Sequence, residues 1–164
     1  MRIAVTGRPG VGKTTLCLKV YERLKDRAAG FVTVEVRESG KRVGFRLRSL
    51  KSGREVWLAK VGAGSVKVGK YAVFVDNLES FLDEEDFEAE ILIVDEVGPM
   101  ELKSRKFVRF AESLFDREKV LVTVHYKSRH PLPERIRREF KLFVLNEENR
   151  DRVADEVAKL LDRG

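Results

Sequence analysis

The 164-residue chain predicts an α/β domain with a central, mostly parallel sheet, an antiparallel hairpin extension and helices on both faces. Three observations predict it. Ile91-Leu92-Ile93-Val94, residues 120–124 and Leu142-Phe143-Val144 are continuous apolar runs, the pattern of strands buried on both faces. Segments with apolar residues at helical spacing alternate with those runs, as in doubly covered sheets. Between them, residues 31–48 alternate apolar and polar around Ser39-Gly40, which reads as a half-buried β-hairpin.

Taken in order, Ile3-Ala4-Val5 is a short buried strand that breaks at Gly7-Arg8-Pro9-Gly10. A helix follows with Leu16, Val20 and Leu24 on one face and is expected to end near Gly30. Val32, Val34 and Val36 face one way in the next strand, and Val43, Phe45 and Leu47 do so after the turn. Residues 55–60 and 71–75 add further strands. A short helix is expected over 77–87, the apolar strand at 91–94, and a helix over 103–117 with Phe107, Phe110, Ala111, Leu114 and Phe115 on one stripe. The run at 120–124 and that at 142–144 are read as fully buried strands, and an amphipathic helix over 147–162 closes the chain. Repeats, linkers and low-complexity segments are absent, so residues 1–164 form one domain.

Composition narrows the class. There are 33 Lys+Arg against 27 Asp+Glu, a formal net charge of +6, which suits an acidic ligand such as polyphosphate or nucleic acid. Cys17 is the sole cysteine, which excludes an internal disulfide framework and fits a buried thiol. No apolar run reaches the length of a membrane span and no signal-peptide layout precedes the first strand, so a soluble, cytoplasmic protein is expected. A monomer or weak oligomer is expected. The absence of Gln and the three Asn, beside abundant charge, are the composition of a heat-adapted, thermophilic protein.

Gly7-Arg8-Pro9-Gly10-Val11-Gly12-Lys13-Thr14 matches G-x-x-x-x-G-K-[ST], a phosphate-binding loop. The glycines let the backbone fold so that its N–H groups point at phosphate oxygens, and the helix opening near Lys13 adds the positive end of its dipole. Lys13 is placed to reach the β- and γ-phosphates and Thr14 to join a magnesium shell. Gly64-Ser65-Val66-Lys67-Val68-Gly69-Lys70-Tyr71 repeats the glycine and lysine spacing, but Tyr71 cannot supply the small hydroxyl and no helix follows. It is read as a flexible surface loop.

Ile91-Leu92-Ile93-Val94-Asp95-Glu96 is an apolar strand ending in two acids, the Walker B pattern. Asp95 is placed to hold Mg2+, directly or through water. The chain has no Gln to orient an attacking water, which makes Glu96 the candidate that positions it and takes its proton. A glutamate in that position is similar to the ATPase division containing recombinases and ABC transporters, where an extra strand lies between the two motif strands. Residues 120–124 are the expected occupant, so some of Thr123, His125, Lys127 and Arg129 should face the γ-phosphate.

At this point the chain resembles the cancer-related nucleoside-triphosphatase family, small P-loop NTPases of thermophilic prokaryotes with a human homologue. Besides 7–15, the resemblance rests on Val34-Glu35-Val36-Arg37-Glu38, Val43-Gly44-Phe45 and Val68-Gly69-Lys70-Tyr71. Val94-Asp95-Glu96-Val97-Gly98-Pro99-Met100-Glu101-Leu102, His125-Tyr126-Lys127-Ser128-Arg129-His130-Pro131 and Glu148-Asn149-Arg150-Asp151 carry it further. It implies a P-loop NTPase fold and a magnesium-dependent enzyme that hydrolyses ATP, GTP and other nucleoside triphosphates. It also implies that 92–99, with Asp95, Glu96 and Gly98, lines the nucleotide site together with 7–14 and Thr15. A more polar start to the hairpin than Val32-Thr33-Val34 is expected of that family.

For the cation that steadies the transition state, Arg8, Arg105 and Arg129 are the candidates, with Lys127 as a rival, and Arg129 in the Lys-Ser-Arg-His stretch is favoured. Two other readings stay open. One is a P-loop kinase for a small molecule, although no clear lid is visible beyond the Gly-rich 61–71 stretch. The other is a nucleic-acid-binding module using Arg42, Arg46, Arg48, Lys51 and Arg54, a basic strand face with no aromatic residues on it for base stacking.

Overall fold

A computed structural model of the chain describes residues 1–163. Nine strands form one sheet: β1 Arg2–Thr6, β2 Ala28–Glu38, β3 Lys41–Ser49, β4 Glu55–Val61, β5 Lys67–Val68, β6 Tyr71–Val73, β7 Ile91–Val97, β8 Lys119–Val124 and β9 Lys141–Val144. Their order across the sheet is β5-β6-β4-β3-β2-β7-β8-β1-β9. The strands from β2 through β7, β8 and β1 to β9 run parallel, and β3 to β6 extend the sheet antiparallel. The five helices are α1 Lys13–Leu24, α2 Val75–Glu84, α3 Arg105–Glu112, α4 Pro131–Glu139 and α5 Arg150–Asp162.

Both faces of the parallel core are covered, which explains its uninterrupted apolar runs. Ala4, Leu92, Val94, Val120 and Val122 point to the face that α2, α3 and α4 cover with Leu78, Phe81, Phe107 and Ile136. Their neighbours Ile3, Val5, Ile91, Ile93 and Leu121 point to the other face, under Leu16 and Val20 of α1 and Val153 and Val157 of α5. Period-two alternation thus puts an apolar group on each side at every step. Phe31 at the centre meets Phe81 edge-on at 5.8 Å between ring centroids and Phe107 at 6.4 Å.

Four expectations are corrected. The helix predicted to reach Gly30 stops at Leu24, and a 3₁₀ turn over Lys25–Arg27 leads into β2 at Ala28. Ala28 to Phe31 pair in register with Ile91 to Val94, so pairing with β7 overrides a continued helix. Gly30 sits there at φ 137°, where a Cβ would overlap the Ile93 carbonyl oxygen. The helix predicted over 103–117 is α3 alone, started by Ser104, whose hydroxyl accepts from the Phe107 N–H at 3.0 Å, and finished by a 3₁₀ turn over Ser113–Asp116. β9 is an edge strand with Leu142 39% and Val144 61% exposed, not a fully buried one. α4 had no counterpart among the predicted elements. Its signals are Pro131 in the first turn and buried Leu132 and Ile136 at helical spacing. The remaining ends differ by a few residues: β6 stops at Val73, α2 spans Val75–Glu84 and α5 starts at Arg150.

Candidate active site

The functional groups meet at the C-terminal ends of β1, β7 and β8, where ligands bind in open α/β sheets. β1 ends at Thr6, and the phosphate loop turns from it into α1. Gly10 and Gly12 hold φ values of 79° and 111°, conformations that side chains with a Cβ rarely adopt. Val11 is buried and anchors the loop in the core, while Arg8 is exposed and does not line the cavity. Pro9, Gly10, Gly12, Lys13, Thr14 and Thr15 do line it. The Lys13 ammonium donates to the Gly7 carbonyl at 2.8 Å and lies 3.4 Å from a Glu96 oxygen.

Asp95 is the electrostatic centre of the site. It is 2% exposed and accepts hydrogen bonds from Thr14 at 2.6 Å, from Thr123 at 2.7 Å and from the Thr33 N–H at 3.3 Å. The Thr33 hydroxyl donates in turn to the Asp95 carbonyl at 2.7 Å. The polar anchor on β2 is therefore Thr33, between two valines where a more polar strand was expected. The β7–β8 ladder skips Asp95 and Glu96, whose connecting peptide bond is cis.

Burial, and next the charge of Glu96, push the Asp95 carboxyl up from 3.8 to about 6, against the pull of its three hydrogen bonds. A carboxyl raised above its unfolded value stabilises the fold through its neutral form. That contribution is complete below about pH 4 and lost as pH rises through about 6. Asp95→Asn should therefore make the metal-free protein more stable at pH 7, by about 1–3 kcal/mol, and flatten its stability between pH 4.5 and 7. Denaturant unfolding in chelator at the two pH values measures this. Identical pH slopes for variant and parent would overturn it.

The donor set fits a divalent cation that arrives with phosphate. Thr14 spends its proton on Asp95 and keeps its oxygen lone pairs, and the Asp95 carboxylate has no cationic partner of its own among the described residues. Those residues contain no cluster of three His, Cys, Asp or Glu side chains able to cage a metal. Mg2+ is usually held by one or two protein oxygens plus substrate phosphates and water, and Thr14 with Asp95 could hold it so.

Three further residues stand around the acid pair. Glu101 is buried, and desolvation, then the Glu96 charge, push its carboxyl well above the usual range. Gly98, expected at the nucleotide, is buried and instead makes room for both acids: a Cβ there would stand 2.9 Å from a Glu96 oxygen and 3.3 Å from a Glu101 oxygen. His125 lines the cavity. Burial first, then Lys13, lowers its pKa, and its Nδ1 accepts from the Lys127 N–H at 3.2 Å. The neutral ring thus carries its proton on Nε2 and acts as a donor. Cys17 is buried with its thiol pKa raised well above the ordinary value by burial, as expected of an inert core cysteine.

The structure does not bring Arg129 to the site. It is exposed on the stretch between β8 and α4, outside the cavity lining, as is Lys127. The chain leaves His125 toward α4, and Arg137 from that helix donates to the His125 carbonyl. The Gly64–Tyr71 segment read as a surface loop contains β5 and brings Val68, Gly69, Lys70 and Tyr71 to the cavity wall.

The basic strand face is largely neutralised. Arg46 and Arg48 meet Glu55 at 3.1 and 2.8 Å, Arg54 meets Glu84 at 2.7 Å, and Lys51 meets Asp86 at 3.4 Å. An aromatic residue does stand on it, Trp57, with Arg46 and Lys60 over its ring at 4.9 and 4.7 Å. Among the described residues no helix is long and apolar enough to cross a membrane.

Comparison with known proteins agrees with this geometry. The chain is 62% identical over 164 residues to nucleoside-triphosphatase THEP1 of Archaeoglobus fulgidus, covering 99% of each chain. It is 41% identical to that of Methanocaldococcus jannaschii, covering 96% of this chain and 95% of the relative. The crystal structure of THEP1 from Aquifex aeolicus superposes with a TM-score of 0.88 at 36% identity, over 99% of this chain and 100% of that one. The solution structure of a human cancer-related nucleoside triphosphatase gives 0.78 at 30% identity, over 98% and 97%. Residues 2–158 match the NTPase family, and the chain belongs to that family as a P-loop nucleoside-triphosphatase.

Proposed function

We propose that this enzyme hydrolyses ATP, GTP and other nucleoside triphosphates to the diphosphate and phosphate, with Mg2+ and weak base selectivity. The observation that supports it most is the convergence of Lys13, Thr14, Asp95 and Glu96 within hydrogen-bonding reach at the ends of β1 and β7. The loop N–H groups and the start of α1 bind the polyphosphate, with Lys13 on the β- and γ-phosphates. Magnesium, when bound by Thr14 and Asp95, supplies positive charge to the γ-phosphoryl oxygens.

Lys13 and Glu96 compensate each other at 3.4 Å. Triphosphate takes Glu96's place as the counter-charge of Lys13 and frees the carboxylate for a water. That water's oxygen bonds to the γ-phosphorus, the bridging P–O bond breaks with its electrons leaving on the diphosphate, and Glu96 accepts the proton. His125 donates through Nε2 toward the developing negative charge.

The nucleoside leaves past Thr15 into a cleft of about 280 Å³ between α1 and α5, lined by Gly12, Lys19, Arg150 and Asp151. The Arg150 guanidinium donates to the Val11 carbonyl at 3.4 Å, and its side chain lies over Gly12. A flat cation stacks on any base and reads none. Phosphate release should therefore require Mg2+ and vary little among ATP, GTP, CTP and UTP. Steady-state assays with and without the metal test this. Discrimination beyond about a hundredfold, near 2.7 kcal/mol, or full activity in chelator, would count against it.

A further inference from the structure

The cavity holds more than hydrolysis uses. Triphosphate and metal occupy the loop end, the nucleoside departs on the α5 side, and attack on the γ-phosphorus needs space for one water. Yet the cavity, about 730 Å³ in all, continues beneath the β2–β3 hairpin, where Phe45, Leu58, Val68, Tyr71 and Met100 wall it. Such walls do nothing for phosphate or metal. An apolar and aromatic lining with a few polar groups is that of a receptacle for a small organic ligand.

The far end of this chamber is cationic. Arg42 and Lys70 stand there with Glu35. Arg42 lies opposite Arg37, four residues along β2 from Thr33, or about 13 Å at roughly 3.3 Å per residue, and Thr33 is the residue hydrogen-bonded to Asp95. An Arg42 nitrogen is 3.3 Å from Glu35, its guanidinium carbon is 5.5 Å from the Phe45 ring centroid, and its side chain is 38% exposed. A guanidinium has five N–H donors, so Arg42 can hold Glu35 and still take an anionic ligand. Phe45 and Tyr71, with ring centroids 5.4 Å apart, give a flat group aromatic surfaces to pack on.

We infer that this chamber is the acceptor site of a phosphoryl transferase activity, and that it takes a small alcohol carrying a flat ring and one anionic group. The anion lies against Arg42 and Lys70, the ring against Phe45 and Tyr71, and the hydroxyl beside Glu96. The inference rests on the reading of the loop as a triphosphate site. The acceptor oxygen forms the bond to the γ-phosphorus, and the bond to the bridging oxygen breaks with its electrons leaving on the diphosphate. The hydroxyl proton passes to the Glu96 carboxylate. Water performs the same attack when the chamber is empty, so hydrolysis and transfer are two outcomes of one site.

The experiment supplies γ-labelled ATP and Mg2+ to the full-length protein with four probes in turn. These are adenosine 3′-monophosphate (free 5′-hydroxyl), adenosine 5′-monophosphate (free ribose hydroxyls), adenosine without the anion, and glycerol 3-phosphate without the ring. Label should move to at least one of the two monophosphates, and at least about tenfold less to the other two probes, the factor a charged hydrogen bond is worth. Arg42→Ala and the exposed Lys70→Ala should each lower transfer by about tenfold or more. Both should keep the phosphate release measured without acceptor, which also reports that the variants fold. Inorganic phosphate as the sole labelled product with all four probes, or transfer unchanged in both variants, would overturn the acceptor site and leave hydrolysis standing. Transfer without acceptor-free phosphate release would support the chamber and overturn hydrolysis instead.

Discussion

Lys13→Ala is expected to abolish tight triphosphate binding and, with it, turnover. The ammonium is held by the Gly7 carbonyl at 2.8 Å and by Glu96 at 3.4 Å, and its side chain is 10% exposed. It therefore meets a phosphate already positioned and mostly desolvated. Truncating one partner of such a charge pair costs about 2–5 kcal/mol, or about thirtyfold to several thousandfold in affinity. The loss has a second part. Without Lys13, Glu96 lies beside buried Asp95 with no cation paired to it, and a trianionic or tetra-anionic tail would enter an acidic pocket. Titration with a non-hydrolysable analogue and steady-state phosphate release measure the two effects. Unchanged affinity and turnover would remove the basis of the triphosphate site.

Glu96→Gln is expected to keep nucleotide and metal bound while lowering turnover by about 10²–10⁴-fold, the usual worth of a general base. The amide can still hydrogen-bond a water and cannot take its proton. Asp95, Thr14 and Thr33 are hydrogen-bonded to one another and not to Glu96, so the pair proposed to hold the metal stays in place. His125 is a poor substitute: its Nδ1 accepts from the Lys127 N–H, which leaves Nε2 protonated. Single-turnover hydrolysis together with analogue affinity separates the chemical step from binding. Near-normal turnover with intact binding would move the proton-accepting role away from Glu96.

The two motifs were legible because each is local. Glycine spacing between an apolar strand and a helix defines the loop within eight residues, and an apolar strand ending in Asp95-Glu96 defines the acidic end within six. The insertion of β8 between β1 and β7 was expected from the acid pair and is present. Arg129 shows where such reasoning stops. Closeness in sequence to the end of β8 suggested closeness to the γ-phosphate, but the direction of the chain after His125 is set by α4 and by Arg137, which bonds the His125 carbonyl.

From the sequence by itself came the fold class, the phosphate loop and the acidic strand end, because period, spacing and glycine placement act over a few neighbouring residues. Only the tertiary structure decided the start of β2, which pairing with β7 draws back to Ala28, and the edge position of β9. It likewise joined Thr33 to Asp95, gathered Glu101 beside Glu96, and closed a chamber from Arg42, Phe45, Tyr71 and Met100. Those residues lie on separate strands and turns. Their meeting depends on strand order and register, which arise from burying two faces of one sheet at once and leave no mark in any short stretch of sequence.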